Sequence, residues 1–194
     1  MGSYYYLAAQ LPYLVYGQAV PMSSAAFKAL ATDAMSSGDA AVLDYCTLDP
    51  APLAKEDAGT AVKAAYTEPA PRTPSAFMNR WKDWERTLRL NLARSRLQKL
   101  KREGMTDAPE YPADAAAVAK TAMAMESPLE AEIFLDKARW AAIENFQGIS
   151  TFSENAIYAY LLKLLLMERR LAFKTEEGFT EYKALYTAIL GEAK

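Results

Sequence analysis

Residues 127–173 read SPLEAEIFLDKARWAAIENFQGISTFSENAIYAYLLKLLLMERRLAF. This stretch predicts two long helices that fold back on each other across a short loop. The first helix is expected to begin with SPLE at residues 127–130, where the serine hydroxyl accepts a free backbone N–H and proline occupies the first helical position. Gly148 is expected to end that helix. The second helix is apolar around most of its circumference, so neighbouring helices must bury it.

The rest of the chain also has helical patterns. Residues 75–103 place Phe77, Trp81, Trp84 and Leu88 at steps of three and four, which predicts a long amphipathic helix. We therefore expect an all-α fold, a multi-helix bundle organised on the C-terminal helical hairpin. Five prolines between residues 50 and 74 predict a boundary there. They would divide the chain into a small N-terminal helical unit with a Pro-rich linker, residues 1–70, and a main helical bundle, residues 71–194.

Two predictions concern the N-terminal unit. Residues 4–16 are rich in tyrosine and leucine, and Pro12 prevents a continuous helix. We expect this segment to pack its aromatic side chains on the bundle rather than to offer them to a partner. Further on, a helix beginning at Ser23 or Ser24 is expected to be interrupted at Gly38. Cys46 follows on an apolar face and is predicted to be an inert buried thiol.

Composition excludes several kinds of site. The chain has 194 residues, a net charge of −2, one cysteine and no histidine. Without histidine the commonest general base and metal ligand are absent, so we predict no catalytic residue, no metal site and no cofactor. A single cysteine allows no internal disulfide, which fits a reducing, cytoplasmic location. No stretch is long and apolar enough to span a bilayer, and no nucleic-acid motif is present, so neither a membrane span nor nucleic-acid binding is expected.

One segment is strongly basic. Residues 72–102 hold ten Lys and Arg residues against two acidic ones, whereas the flanking sequence is acidic. A solvated helix face and a docking face for an acidic partner are both compatible with this excess, which can steer association. If the helix binds a partner, the contact residues are predicted to be Arg80, Arg86, Arg89, Arg94 and Arg96.

Two carboxylates lie on apolar helix faces. Asp136 shares a face with Ile133 and Trp140, and Glu168 shares one with Leu161 and Leu164. An unpaired buried charge costs several kcal/mol, so each carboxylate needs a partner. Acid/base or metal chemistry is the less favoured explanation, since helical dimetal sites use Glu-x-x-His pairs. We expect a structural ion-pair network that joins the two helices through Glu132, Asp136, Arg139, Lys163, Glu168 and Arg169.

The hairpin also carries a family resemblance. Residues 128–140 (PLEAEIFLDKARW), followed by YAYLLK at 158–163 and ERR at 168–170, resemble the repeated helical signature of the C subunits of V/A-type ATPases, called d subunits in eukaryotes. SYYYL at residues 3–7, with Leu11 and Pro12, is similar to a family of small bacterial proteins encoded beside V-type ATPase genes. Together these segments cover the first dozen residues and about the last seventy.

The resemblance implies a non-catalytic role. The C subunits join the central shaft to the membrane rotor ring, so the implied partners are the shaft and ring subunits of a bacterial V-type ATPase, and the implied location is peripheral to the membrane. The C subunits typically contain three related helical units, whereas this chain has room for one or two. The resemblance therefore implies either a shortened adaptor or an associated assembly factor. The alternative from the residues alone is a stand-alone helical protein that binds a small apolar ligand in a closed cavity between its helices.

Overall fold

The computed structural model describes residues 4–49, 72–101 and 109–171 of the chain. This part is helical and contains no strand, which confirms the all-α prediction. A 3-10 turn at Leu43–Tyr45 accompanies the α-helices. In chain order the α-helices are α1 (Tyr5–Gln10), α2 (Ser24–Ala34), α3 (Ser37–Val42), α4 (Ala76–Lys99), α5 (Ala113–Ala124), α6 (Pro128–Gln147) and α7 (Glu154–Leu171).

Helix α4 is buried along most of its length. The Ser75 hydroxyl caps its first turn by accepting a hydrogen bond from the backbone N–H of Met78 at 3.2 Å. The helix ends at Lys99, four residues before the predicted end. Its predicted apolar row is buried, with no member of the row more than 6% exposed: Phe77, Trp81, Trp84, Leu88 and Leu92.

Helix α5 packs parallel to α4. The Trp84 indole donates to the Asp114 carboxylate at 2.8 Å, and the Lys99 ammonium donates to the backbone carbonyl of Met123. Both helices therefore run in the same direction. Three buried alanines of α5 let the two helices approach closely, namely Ala115, Ala119 and Ala122.

Helices α6 and α7 are joined by residues 148–153 and run antiparallel. The Ser127 hydroxyl caps α6 by accepting from the backbone N–H of Glu130, and Gly148 follows the helix with a φ of +77°. Near the connecting loop, Lys163 of α7 pairs with Glu144 of α6 at 3.0 Å. Farther from the loop, Arg169 of α7 pairs with Asp136 of α6. The α6 helix also contacts α4, because Arg139 of α6 pairs with Glu85 of α4 at 3.0 Å.

The N-terminal helices share the core of these four. The rings of Phe27 in α2 and Tyr160 in α7 lie 4.8 Å apart, and buried side chains from Tyr4 to Met167 form one hydrophobic cluster. The predicted boundary near residue 70 falls outside the described residues. The predicted interruption is present but lies at residues 35–36, not at Gly38: α2 ends at Ala34, and Gly38 lies inside α3. The Ser36 hydroxyl starts that helix by accepting from the backbone N–H of Asp39 at 3.3 Å.

The tyrosines of residues 4–16 pack on the bundle only in part, as some of them face solvent. Tyr4 is buried, but Tyr6 and Tyr13 are 87% and 90% exposed. The leucines of the segment, Leu7 and Leu14, are buried instead. Helical spacing turns residues 4 and 7 towards the bundle and residues 5 and 6 away from it. The segment is thus held by its leucines, by Tyr4 and by Tyr16, whose ring lies 5.7 Å from that of Trp140.

Candidate functional site

A buried ionic cluster lies where α4, α6 and α7 meet. It comprises Glu85 and Arg89 of α4, Asp136 and Arg139 of α6, and Arg169 of α7. The side chain of Glu85 is fully buried, and those of Asp136 and Arg139 are 7% and 6% exposed. The centre of the cluster is therefore shielded from water, whereas Arg89 and Arg169 at its edges are 25% and 28% exposed.

The Glu85 carboxylate is held by two guanidinium groups. Arg139 donates from Nε to Oε2 at 3.0 Å and from Nη2 to Oε1 at 3.1 Å, which is the strong bidentate arrangement. Arg89 donates from Nε to Oε1 at 2.7 Å, one helical turn away on α4. Arg89 also reaches the backbone carbonyl of Leu48 at 2.9 Å and the Asp49 carboxylate at 3.3 Å. This residue therefore ties the end of the N-terminal part to α4.

Asp136 links α6 to α7. Its Oδ1 atom accepts from Arg139 Nη1 at 3.3 Å and from Arg169 Nη2. The predicted pairing of Asp136 with a cation of the adjacent helix is present. The other members of the predicted network lie elsewhere. Lys163 pairs with Glu144 and lies 5.0 Å from the ring centre of Trp140, and Glu132 is half-buried without an ion pair among the described residues.

Glu168 takes a different role from the one predicted. Its two carboxylate oxygens accept from the backbone N–H and the hydroxyl of Ser24, each at 2.6 Å. Ser24 is the first residue of α2, whose N-terminal amides lack intrahelical partners and favour a negative charge. Glu168 therefore anchors the start of α2 to α7.

Substitution of Glu168 by alanine is expected to lower the free energy of unfolding by about 1.5 to 3 kcal/mol, since hydrogen bonds to a charged group are lost. Urea unfolding followed by circular dichroism measures the change. Glu132→Ala is the matched control, because Glu132 is half-buried and has no described partner; its effect should stay within about 0.5 kcal/mol. Equal effects of the two substitutions would contradict the anchoring role.

The chemistry open to the ionic cluster is limited. Each of its carboxylates already accepts charged hydrogen bonds, and arginine does not release its proton in proteins. Within residues 4–49, 72–101 and 109–171 no group of three or more Cys, Asp or Glu side chains could hold a metal ion. The cluster joins three helices through buried ion pairs, which is a structural role. It does not have the geometry of an acid/base pair.

The five arginines predicted to bind a partner do not form one face. Arg89 belongs to the ionic cluster, and Arg86 makes a further interaction. Arg80 and Arg94 lie about 40° apart around the helix axis, whereas Arg96 lies about 160° from Arg80. Four basic residues follow one another closely in sequence at the end of α4, around the last turns of the helix. We call this group the basic tip: Arg94, Arg96, Lys99 and Lys101.

The basic tip is accessible. Arg96, Lys99 and Lys101 are exposed, Arg94 is half-buried, and Leu100 between them is 64% exposed. None of the four cations forms an ion pair with a carboxylate in the described part of the chain. The tip thus combines uncompensated positive charge with an apolar side chain, as binding surfaces for acidic partners often do.

Open clefts occur elsewhere on the surface. One of about 250 Å³ lies between residues 8–14 and the α6–α7 pair, one of about 180 Å³ lies beside Arg170, and one of about 480 Å³ lies between α2 and α3. All three are open to solvent and have polar residues in their walls. None of these three is the closed apolar cavity that a carrier of apolar ligands needs. No described helix combines the length and apolar character needed to cross a membrane.

Cys46 is buried, as the sequence predicts. Its sulfur lies 3.7 Å from the carbonyl oxygen of Val42 and 3.6 Å from the Met78 sulfur. Burial raises the pKa of its thiol well above the usual value, and burial likewise raises the pKa of the Tyr158 phenol. Burial also raises the pKa values of Tyr4, Tyr16 and Tyr160, whereas it lowers the pKa of Lys82. Most of these groups therefore have a pKa that folding raises, and Lys82 has one that folding lowers.

These shifts predict a loss of stability in alkali. A group whose pKa is raised by folding stabilises the protein fully below its unfolded pKa, here 9.0 for Cys46 and 10.0 for Tyr158, and this contribution falls as the pH rises further. The free energy of unfolding should fall by up to about 1.4 kcal/mol per pH unit for each such group. The lowered pKa of Lys82 has the opposite effect on stability, but the groups with a raised pKa are more numerous. Urea unfolding at pH 7.5 to 11 measures the slope.

Cys46→Ala tests the cysteine contribution separately. The substitution should flatten the dependence between pH 9 and pH 10, whatever it does to stability at pH 7.5. An unchanged slope in this variant would show that the thiol is free to ionise in the folded protein.

Comparison of the chain with protein-family models, curated proteins and solved structures finds no match. The function of the chain is therefore inferred from its own residues and from the resemblance in its helical hairpin. Among the residues of the ionic cluster, Glu85 was not predicted, although the sequence indicates that it is buried. It lies four residues after Trp81 and three before Leu88, on the same buried face that marks the amphipathic helix.

Proposed function

We propose that the protein is a non-catalytic adaptor similar to the ATPase C subunits, or an associated assembly factor, of a bacterial V-type ATPase, and that it couples the central shaft to the membrane rotor ring. The observation that carries this proposal is the resemblance of residues 128–140, 158–163 and 168–170 to the helical signature of the C subunits. An all-α fold fits the proposal. So does a rigid junction of α4, α6 and α7, because an adaptor that transmits torque must not deform.

The basic tip is the proposed contact with the ATPase. It is exposed, lacks described ion pairs and ends a long helix, so an acidic surface of the shaft or the ring can approach it. The sequence predicts contacts through five arginines spread along α4. The proposed contact uses only the basic tip at the end of this helix. Arg89 is left out because reversing its charge would break contacts inside the protein.

The test is an affinity pull-down of the tagged protein from its native membranes in mild detergent, with mass spectrometry of the recovered proteins. V-type ATPase shaft and ring subunits are expected with the wild type. The double variant Arg96→Glu with Lys101→Glu should recover at least about tenfold less of them, because rim charges opposite an acidic patch become repulsive. Circular dichroism establishes that the variant is folded.

The matched control changes the same amount of charge elsewhere. Arg80 and Lys137 are also exposed and lie outside the basic tip, so Arg80→Glu with Lys137→Glu should leave recovery unchanged. Equal loss in both double variants would show that net charge matters and the tip does not. Recovery of the wild-type protein without any component of a V-type ATPase would contradict the proposed function itself.

A further inference from the structure

The cleft beside Arg170 is lined by hydrogen-bond donors as well as by apolar side chains. It has a volume of about 180 Å³, and we call it the Arg170 cleft, with Tyr16, Gly17, Gln18, Met167, Arg170 and Leu171 in its wall. The Arg170 guanidinium carbon lies 4.9 Å from the ring centre of Tyr16. This contact holds the cation at the mouth of the cleft.

Gly17 lies beside Arg170 in the loop before α2. Its φ is +90°, a backbone conformation in which any other residue would be strained. A Cβ atom at this position would lie 3.4 Å from Nη1 of Arg170, which is an ordinary van der Waals contact. The glycine is therefore explained by the backbone of the loop, which runs beside the guanidinium.

Arg170 is left with unused charge. The carboxylates of the ionic cluster, Glu85 and Asp136, are paired with Arg89, Arg139 and Arg169 and not with Arg170. Arg170 is exposed and pairs with no carboxylate in the described part of the chain, and its neighbour Glu168 is engaged with Ser24. A positive charge therefore remains at the cleft.

One buried polar atom belongs to the cleft wall and lacks an acceptor. The Tyr16 hydroxyl is shielded from solvent and donates to no acceptor among the described residues. Buried polar groups are nearly always hydrogen-bonded, so this hydroxyl has a donor capacity that a ligand in the cleft could use. Burial and Asp136 raise the pKa of the Tyr16 phenol, which keeps the hydroxyl protonated and able to donate, while Arg170 and Arg169 oppose this shift.

We propose that the Arg170 cleft binds the phosphate group of a small ligand, with Arg170 as the charged contact and the Tyr16 hydroxyl and Gln18 amide as further donors. A tetrahedral phosphate has oxygens in several directions and can accept from all three, whereas the two oxygens of a carboxylate lie in one plane. Met167 and Leu171 supply an apolar wall for the part of the ligand that carries the phosphate. This site is separate from the basic tip and does not depend on the adaptor function.

Isothermal titration calorimetry with inorganic phosphate, at ionic strength held constant with chloride, tests the site in the full chain. Saturable binding of one phosphate is expected. Arg170→Gln should weaken it at least about tenfold, because a charge-assisted hydrogen bond is lost. Tyr16→Phe should weaken it about threefold or more while the fold is retained.

Lys137→Gln is the matched control, since it removes one exposed positive charge from a surface outside both the Arg170 cleft and the basic tip. Its affinity for phosphate should stay within about twofold of the wild type. Absence of saturable binding, or equal affinity in the wild type and Arg170→Gln, would overturn the proposal.

The source of the phosphate group is identified by two further probes. Binding of glycerol phosphate without sedimentation on vesicles that contain phosphatidic acid would indicate a soluble phosphate ester. Sedimentation on those vesicles that requires Arg170, together with phosphate binding, would indicate a lipid headgroup. Both results support the site and assign its ligand.

Discussion

Replacement of Arg139 by methionine is expected to lower the free energy of unfolding by about 3 to 5 kcal/mol, the cost of leaving a buried charge without its partner. Glu85 is fully buried and would lose both hydrogen bonds of its bidentate pair. Asp136 would lose one of its two guanidinium partners at the same time. Methionine keeps an unbranched apolar side chain in place, so the change is mainly one of charge.

Urea unfolding at pH 7.5 measures this effect, and a double variant separates charge from packing. Glu85→Leu combined with Arg139→Met replaces the ion pair by apolar groups, and such replacements are often neutral or stabilising. The double variant should therefore be more stable than Arg139→Met alone. Arg96→Met, on the exposed basic tip, should change stability by less than about 0.5 kcal/mol. A loss below about 1 kcal/mol in Arg139→Met would show that water reaches the cluster.

The sequence predicts part of this cluster for a physical reason. A carboxylate on an apolar helix face needs a partner, and this rule identifies Asp136 and its pairing across the two helices. It cannot identify which group reaches Glu168, because the answer is a backbone amide and a hydroxyl of Ser24. Helix periodicity gives the face on which a residue lies. It does not give the neighbour that tertiary packing brings to that face.

The same limit applies to the arginines of α4. A charge count over residues 72–102 shows an excess of positive charge, but it cannot separate cations that hold the protein together from cations that face solvent. Arg89 is of the first kind and Arg96 of the second. Local signals also compete over short distances. Gly38 predicts a helix interruption, whereas the hydroxyl of Ser36 fixes the start of α3 two residues earlier.

Substitution of Trp84 by alanine is the second change expected to have a large effect, about 3 to 5 kcal/mol in the free energy of unfolding. The side chain is 1% exposed, its ring lies 6.0 Å from that of Trp81 in a stacked arrangement, and its indole donates to Asp114 of α5. Removing it leaves a cavity beneath α5. The small alanines that line α5, Ala115 and Ala119, cannot fill such a space.

Thermal unfolding followed by circular dichroism at 222 nm measures the loss without depending on tryptophan fluorescence. The melting temperature should fall by about 6 to 20 °C, since 1 kcal/mol corresponds to about 2–4 °C at this chain length. Trp84→Phe keeps most of the apolar volume and should cost clearly less. Leu100→Ala, which truncates a side chain that is 64% exposed, should change the melting temperature little.

The number of unfolding transitions in Trp84→Ala tests whether the hydrophobic core unfolds as one unit. Buried side chains from all three described ranges of the chain form one hydrophobic cluster, so loss of packing between α4 and α5 should lower the stability of the whole described part together. A single, shifted transition is therefore expected. Two separate transitions would show that α4 and α5 unfold apart from the N-terminal helices, and the cluster would then not act as one cooperative core.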